Sequence, residues 1–218
     1  MAPNTPSHAP IIETLESFFA DANEHFYDKK LVKPVITAFP TGRGNVLGWV
    51  TSWKAWQEDG GGGYYELNVC SDHLNRPFEN IYKTLLHEMA HLYNLQNGVK
   101  DYSRSGYYHN KNFKEAAEAH GLDCERDKTR GWTITLLSTE AAAWLRETYG
   151  TCPSAFTLTR GRPSDSDLED DASSNTPSSA PGTSNSRKYV CPCGTIIRAT
   201  KVVRVTCDDC GKPFQFQG

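Results

Sequence analysis

Residues 87–91 read His-Glu-Met-Ala-His, an H-E-x-x-H set placed inside an apolar-periodic run. Ile81, Leu85, Met89 and Leu92 follow i, i+4, i+8 and i+11, which predicts a helix with one buried side. Pro77 suits its first turn and Gly98 its C-terminal cap. Two histidines four residues apart lie about 40° from each other around such a helix, so both imidazoles reach one ion from one face. Glu88 leans toward the same side, where it can polarise a metal-bound water, the division of labour this motif has in metalloproteases. A fold built on this helix must bury its apolar stripe and leave the histidine face at a cleft. The bland alternative is a surface helix with two solvated histidines.

A hydrolytic zinc usually takes three protein ligands and leaves the fourth position to water, so a third donor is needed. His109, separated from His91 by seventeen residues, is the first candidate and opens a second helical pattern running to His120 and closed by Gly121. Glu115, Glu118 and His120 on that pattern are its rivals. Asn97 stands where a tight H-E-x-x-H-x-x-G-x-x-H enzyme would place its ligand, which disfavours that class. His8, His25 and His73 read as solvated or locally hydrogen-bonded.

The remaining pattern is α+β. Ile11, Leu15, Phe18, Ala22 and Phe26 keep helical spacing and predict a first amphipathic helix. Residues 35–39, 46–56 and 64–70 are rich in β-branched and aromatic side chains, separated by turn sequences at 40–45 and 60–63. They predict a three-stranded antiparallel sheet ahead of the motif helix. An edge strand there could hold an extended substrate by backbone pairing, or the strands could simply cover the helices. Trp49, Trp53 and Trp56 read as core or sheet-face residues. Residues 132–137 suggest a strand or a packed loop, and 139–149 a helix.

The chain of 218 residues suits one catalytic domain and a small appendage. Residues 1–10 read as a disordered, polar, proline-rich N-terminus, 11–160 as the catalytic domain, 161–187 as a flexible acidic Ser/Pro-rich linker and 188–218 as a zinc-binding tail. Residues 161–186 carry five acidic and one basic side chain, while 187–218 carry six basic and two acidic, so a basic module sits on an acidic tether. No run of 18 apolar residues and no charged-then-apolar leader occurs. The expectation is a soluble, unsecreted monomer in the cytoplasm, nucleoid or nucleus, with no membrane partner. Cys70, Cys124 and Cys152 then read as reduced structural thiols.

In the tail, Cys191-Pro-Cys193-Gly194 and Cys207-Asp-Asp-Cys210-Gly211 are two cysteine pairs thirteen residues apart, the pattern of a zinc ribbon. Residues 196–200 and 202–205 would form the hairpin between the knuckles. About 30 residues cannot build a sufficient core unaided, so the metal should supply the folding energy. Arg198, Lys201 and Arg204, with Tyr189, Phe214 and Phe216, offer cations and aromatic faces suited to single-stranded nucleic acid.

The helix at 84–91, the delayed His109 followed by Phe113, the Glu66-Leu67-Asn68 strand and Gly131-Trp132 together resemble the SprT-like metalloprotease domain over residues 11–150, and many members carry a C-terminal zinc ribbon. Asn110 departs from the glycine common after the third histidine. The resemblance implies a zincin-like catalytic fold with zinc on His87, His91 and His109, and Glu88 as general base. It also implies the activity of the eukaryotic Spartan members, DNA-dependent proteases that digest proteins crosslinked to DNA in DNA repair. The cofactors expected are two zinc ions, one catalytic and one structural on Cys191, Cys193, Cys207 and Cys210. The partners expected are protein substrates and single-stranded or damaged DNA.

Overall fold

The computed structural model describes residues 7–41, 46–103, 106–150, 156, 158, 160 and 187–217, and the chain divides into two units between Asp170 and Asp171. The predicted linker at 161–187 therefore lies, apart from Arg187, outside the described residues, as do most of the predicted N-terminal segment and Cys152. No described helix is long and apolar enough to cross a membrane.

The N-terminal unit mixes α and β. Helix α1 (Ala9–Tyr27) starts with proline in its first turn and buries Ile11, Leu15, Phe18, Phe19 and Ala22 at helical spacing. Helix α2 (Phe78–Gln96) carries the H-E-x-x-H set, and Ile81, Leu85, Met89 and Leu92 are all fully buried, as their spacing predicts. Each such side chain contributes roughly 1.5–3 kcal/mol of burial, which anchors the histidine face in one orientation. Helices α3 (Lys111–Ala119) and α4 (Thr139–Tyr149) complete the described helices, the latter capped by Ser138, whose hydroxyl accepts from Ala141 N at 3.1 Å.

The sheet ahead of α2 differs from expectation. Strands β1 (Val35–Thr37), β2 (Gly48–Val50) and β5 (Glu66–Val69) pair in the order β1-β5-β2, with β1 parallel and β2 antiparallel to β5. The sheet is thus mixed, and β1 and β2 do not pair across residues 40–45. Apolar patterning marks which residues are strand, but the flank of β5 that each occupies depends on long-range packing. The turn at 60–63 does join a hairpin, β3 (Trp56–Glu58) with β4 (Gly62–Tyr64). Gly60 and Gly61 supply its positive φ angles of 106° and 103°.

A second sheet runs β6-β7-β9-β8, from β6 (Tyr102–Ser103), β7 (Tyr108–His109), β8 (Leu122–Asp127) and β9 (Gly131–Leu137). Strand β8 has no signature of its own, since only Leu122 and Cys124 are apolar, and it forms by antiparallel pairing with β9.

In the C-terminal unit, β10 (Arg187–Val190) pairs antiparallel with both β11 (Ile196–Ala199) and β12 (Gln215–Gln217). The expected hairpin between 196–200 and 202–205 is not formed. The Cys-Pro-Cys-Gly knuckle itself reverses the chain, with Gly194 N donating to Cys191 O at 2.8 Å and Cys191 N to Thr195 O at 2.9 Å. The strand after the knuckle consequently pairs with the strand before it.

Candidate metal centre

Helix α2 presents His87 and His91 one turn apart, and β7 brings His109 against them. The Nε2 atom of His109 lies 3.2 Å from His87 Nε2 and 3.0 Å from His91 Nε2. His109 is the last residue of β7 and not the start of a helix, which corrects the expected placement. Asn110 is the reason. Its side-chain Oδ1 accepts from Asn112 N at 2.7 Å and Phe113 N at 3.3 Å, so it is the N-cap and α3 begins at Lys111. The rival donors are elsewhere: Glu115 pairs with Lys111, Glu118 with Lys114, and His120 Nδ1 meets Ala116 O at 2.6 Å with its ring stacked on Tyr27.

Three elements lock the imidazoles. His91 Nδ1 lies 2.7 Å from Asp101 Oδ2, and Asn94 Nδ2 donates to the same oxygen at 3.1 Å. A carboxylate only accepts, so His91 carries its proton on Nδ1 and turns the Nε2 lone pair inward. His87 Nδ1 is 3.2 Å from Thr135 Oγ1 on β9. Phe113 of α3 packs its ring 4.5–4.6 Å from all three imidazoles. Burial, and then the neighbouring rings, hold His87 well below the ordinary histidine pKa and push His109 down to about 4. Two neutral rings can share one N–H···N bond, but a third lone pair facing them has no donor. A cation satisfies all three at once. A tetrahedral ion with metal–nitrogen bonds of about 2.0–2.1 Å spaces its nitrogens by about 3.4 Å, close to what these residues adopt.

The close approach of β7 to β9 depends on a glycine. Gly131 has φ +73°, and a Cβ there would lie 2.0 Å from His109 O. His109 N in turn donates to Arg130 O at 2.9 Å. Sequence reasoning missed Asp101 and Thr135. Asp101 had a signal, being the only carboxylate between His91 and His109. Thr135 had none, because β8 and β9 must pair with the rest of the sheet before it faces His87.

Glu88 is buried, and its carboxyl is pushed up to about 7 by that burial, with His91 pulling it down and Asp101 up. It abuts β2, where a Cβ on Gly48 would sit 3.1 Å from Glu88 Oε1 and 2.8 Å from Asn68 O. Glu88 is therefore seated against the strand at the edge of the first sheet. Beside it, Trp49 and Trp56 donate their indole N–H groups to Glu66 Oε1 and Oε2 at 3.1 and 2.8 Å. None of the three tryptophans is in the core: Trp49 is half-buried on β2, Trp56 is exposed on β3 and Trp53 is exposed between the strands.

The C-terminal unit holds a second donor set. Cys191, Cys193, Cys207 and Cys210 place all four sulfurs within 4.8 Å of one another. Cys191 and Cys210 are 3.2 Å apart and Cys193 and Cys207 3.6 Å, near the roughly 3.8 Å of four sulfurs bound tetrahedrally at about 2.3 Å. Tyr189 is 4% exposed and its hydroxyl accepts from Val203 N at 3.2 Å, so it is the core of this unit and not a stacking face. Phe216 is 57% exposed, and Lys188 and Arg198 are cross-strand neighbours on the opposite face.

The three-histidine and four-cysteine sets are thus two sites able to hold metal, argued from their own geometry: no family model, curated protein or solved structure matches this chain.

Proposed function

We propose that this protein is a zinc-dependent endopeptidase of the SprT-like type, acting on proteins associated with or crosslinked to DNA. The observation that carries the reading is the convergence of His87, His91 and His109 beside a buried Glu88 that lies against an edge strand. When bound there, zinc supplies Lewis acidity and a water whose pKa falls toward roughly 7.

The chain's own groups do the rest. Asp101 and Thr135 orient two of the imidazoles. Glu88 takes a proton on its carboxylate during attack on the scissile carbonyl and returns it to the leaving amine. Strand β2 positions the substrate. Cys70 N donates to Leu47 O at 2.9 Å and Thr51 N to Glu66 O at 3.0 Å, so in the alternating antiparallel ladder the groups of Gly48 and Val50 face away from β5. An extended polypeptide pairing there has its backbone beside Glu88.

The DNA association is supported by the cations of the C-terminal unit, with Lys188 and Arg198 adjacent across β10 and β11 on one face of its sheet. The four-cysteine set would hold a structural zinc. The test is cleavage of casein and histone by the purified chain, with and without single-stranded DNA, in zinc and in chelator. Metal-dependent cleavage lost in Glu88→Gln supports the reading, whereas DNA binding without cleavage under any condition would leave a nucleic-acid-binding metal protein.

A further inference from the structure

The end of β8 and the turn into β9 carry Arg126, Lys128 and Arg130, all exposed, and among the described residues none has a carboxylate within salt-bridge distance. The one acid among them, Asp127, is engaged in the turn: its Oδ1 accepts from Thr129 N, Thr129 Oγ1 and Arg130 N, each at 2.7 Å. This caps and rigidifies the turn, and the Asp127 charge also acts on Arg130, while the side chains of Arg126, Lys128 and Arg130 stay exposed. Two of them reach back to consecutive tyrosines before His109. The Arg130 guanidinium sits 5.3 Å from the centre of the Tyr107 ring, and Arg126 Nη2 lies 3.5 Å from Tyr108 Oη. Tyr107 is 59% exposed, so one face of its ring backs onto a guanidinium while the rest meets solvent.

A planar ring with a guanidinium behind it and two more cations along a short turn matches a nucleobase with its flanking phosphates. An acidic peptide would satisfy the charges but leave the Tyr107 face unused. We propose that Tyr107, Arg126, Lys128 and Arg130 form a binding site for single-stranded nucleic acid on the N-terminal unit, separate from the four-cysteine unit. A base stacks on Tyr107, and the phosphates on either side meet Arg126, Lys128 and Arg130. His109 N is hydrogen-bonded to Arg130 O, so the end of this turn adjoins the backbone of the third histidine.

The site concerns binding, so its test does not depend on peptidase activity. Anisotropy of a fluorescein-labelled oligo-dT is measured with the full chain, with R126Q/R130Q, with Y107A, and with K188Q/R198Q in the C-terminal unit, each across a salt series. Urea midpoints and metal content establish that the variants are folded. R126Q/R130Q should weaken binding and flatten the slope of log K against log salt by about 1.4, since each phosphate no longer neutralised on a single strand removes about 0.7. Y107A should weaken binding about 5- to 100-fold with the slope unchanged, as loss of one stacked base does. Affinity and slope unchanged in both variants, with binding abolished by K188Q/R198Q alone, would overturn the proposal. So would equal displacement of the oligonucleotide from K188Q/R198Q by polyglutamate, which would make the turn an acidic-peptide site.

Discussion

His91 Nδ1 and Asp101 Oδ2 lie 2.7 Å apart, and the Asp101 side chain is only 4% exposed. The carboxylate sets the histidine's tautomer and its ring orientation, and Asn94 holds the same oxygen from the helix behind. Asp101→Asn removes the acceptor-only character while keeping the shape. Metal affinity at the three-histidine site should fall about 10- to 100-fold with little change in fold. Competition with a chromophoric chelator measures it, and unchanged affinity would mean that Asp101 only packs against the ring.

Glu88→Gln should separate binding from chemistry. Glutamine fits the same pocket beside Gly48 but cannot accept the proton, so metal content should match wild type while cleavage falls about 100- to 10,000-fold. Elemental analysis and a casein assay read the two quantities independently.

Gly131→Ala tests the approach of β7 to β9. The residue has a positive φ of 73°, and its added Cβ would meet His109 O at 2.0 Å. Strain at such a position costs about 1–3 kcal/mol, and the clash adds to it by displacing His109, a member of the candidate metal site. Both the urea midpoint and the metal content should drop. The same change at Gly98, where φ is positive but nothing lies within 4 Å, should lower stability alone.

Acid should weaken the metal-free protein through its histidines. His109 is depressed to about 4 in the folded chain and His87 is also depressed, against about 6.5 for an unfolded histidine. Below pH 6.5 the unfolded state binds protons that the folded state refuses, so stability is present above that pH and is lost as pH falls toward 4. Urea midpoints in chelator should decline over this window, and a His87→Phe/His109→Phe chain should decline less.

Metal removal should affect the two units differently. The N-terminal unit has a continuous core running from Ile11 to Phe156, whereas the buried residues of the C-terminal unit are Tyr189, Cys191 and Cys207. Chelation should unfold the region 187–217 and leave α1 and α2 intact, seen as selective loss of dispersion in an NMR amide spectrum.

Much of the site was legible in the chain because its signals are local. The His87/His91 spacing is set by one helix's pitch, the Cys191-x-Cys193 and Cys207-x-x-Cys210 pairs by single turns of backbone, and the buried face of α2 by side-chain periodicity. Asn110 carried a further local signal, since an N-cap there places His109 before the helix. What depended on tertiary structure was everything requiring a partner distant in sequence. The parallel pairing of β1 with β5, the approach of Thr135 to His87 and the seating of Glu88 against Gly48 each join segments far apart along the chain, and no periodicity encodes which edges meet. The choice of His109 over Glu115, Glu118 and His120 was decided the same way, because only packing of β7 against β9, permitted by the missing side chain at Gly131, carries that imidazole to within 3.0 Å of His91.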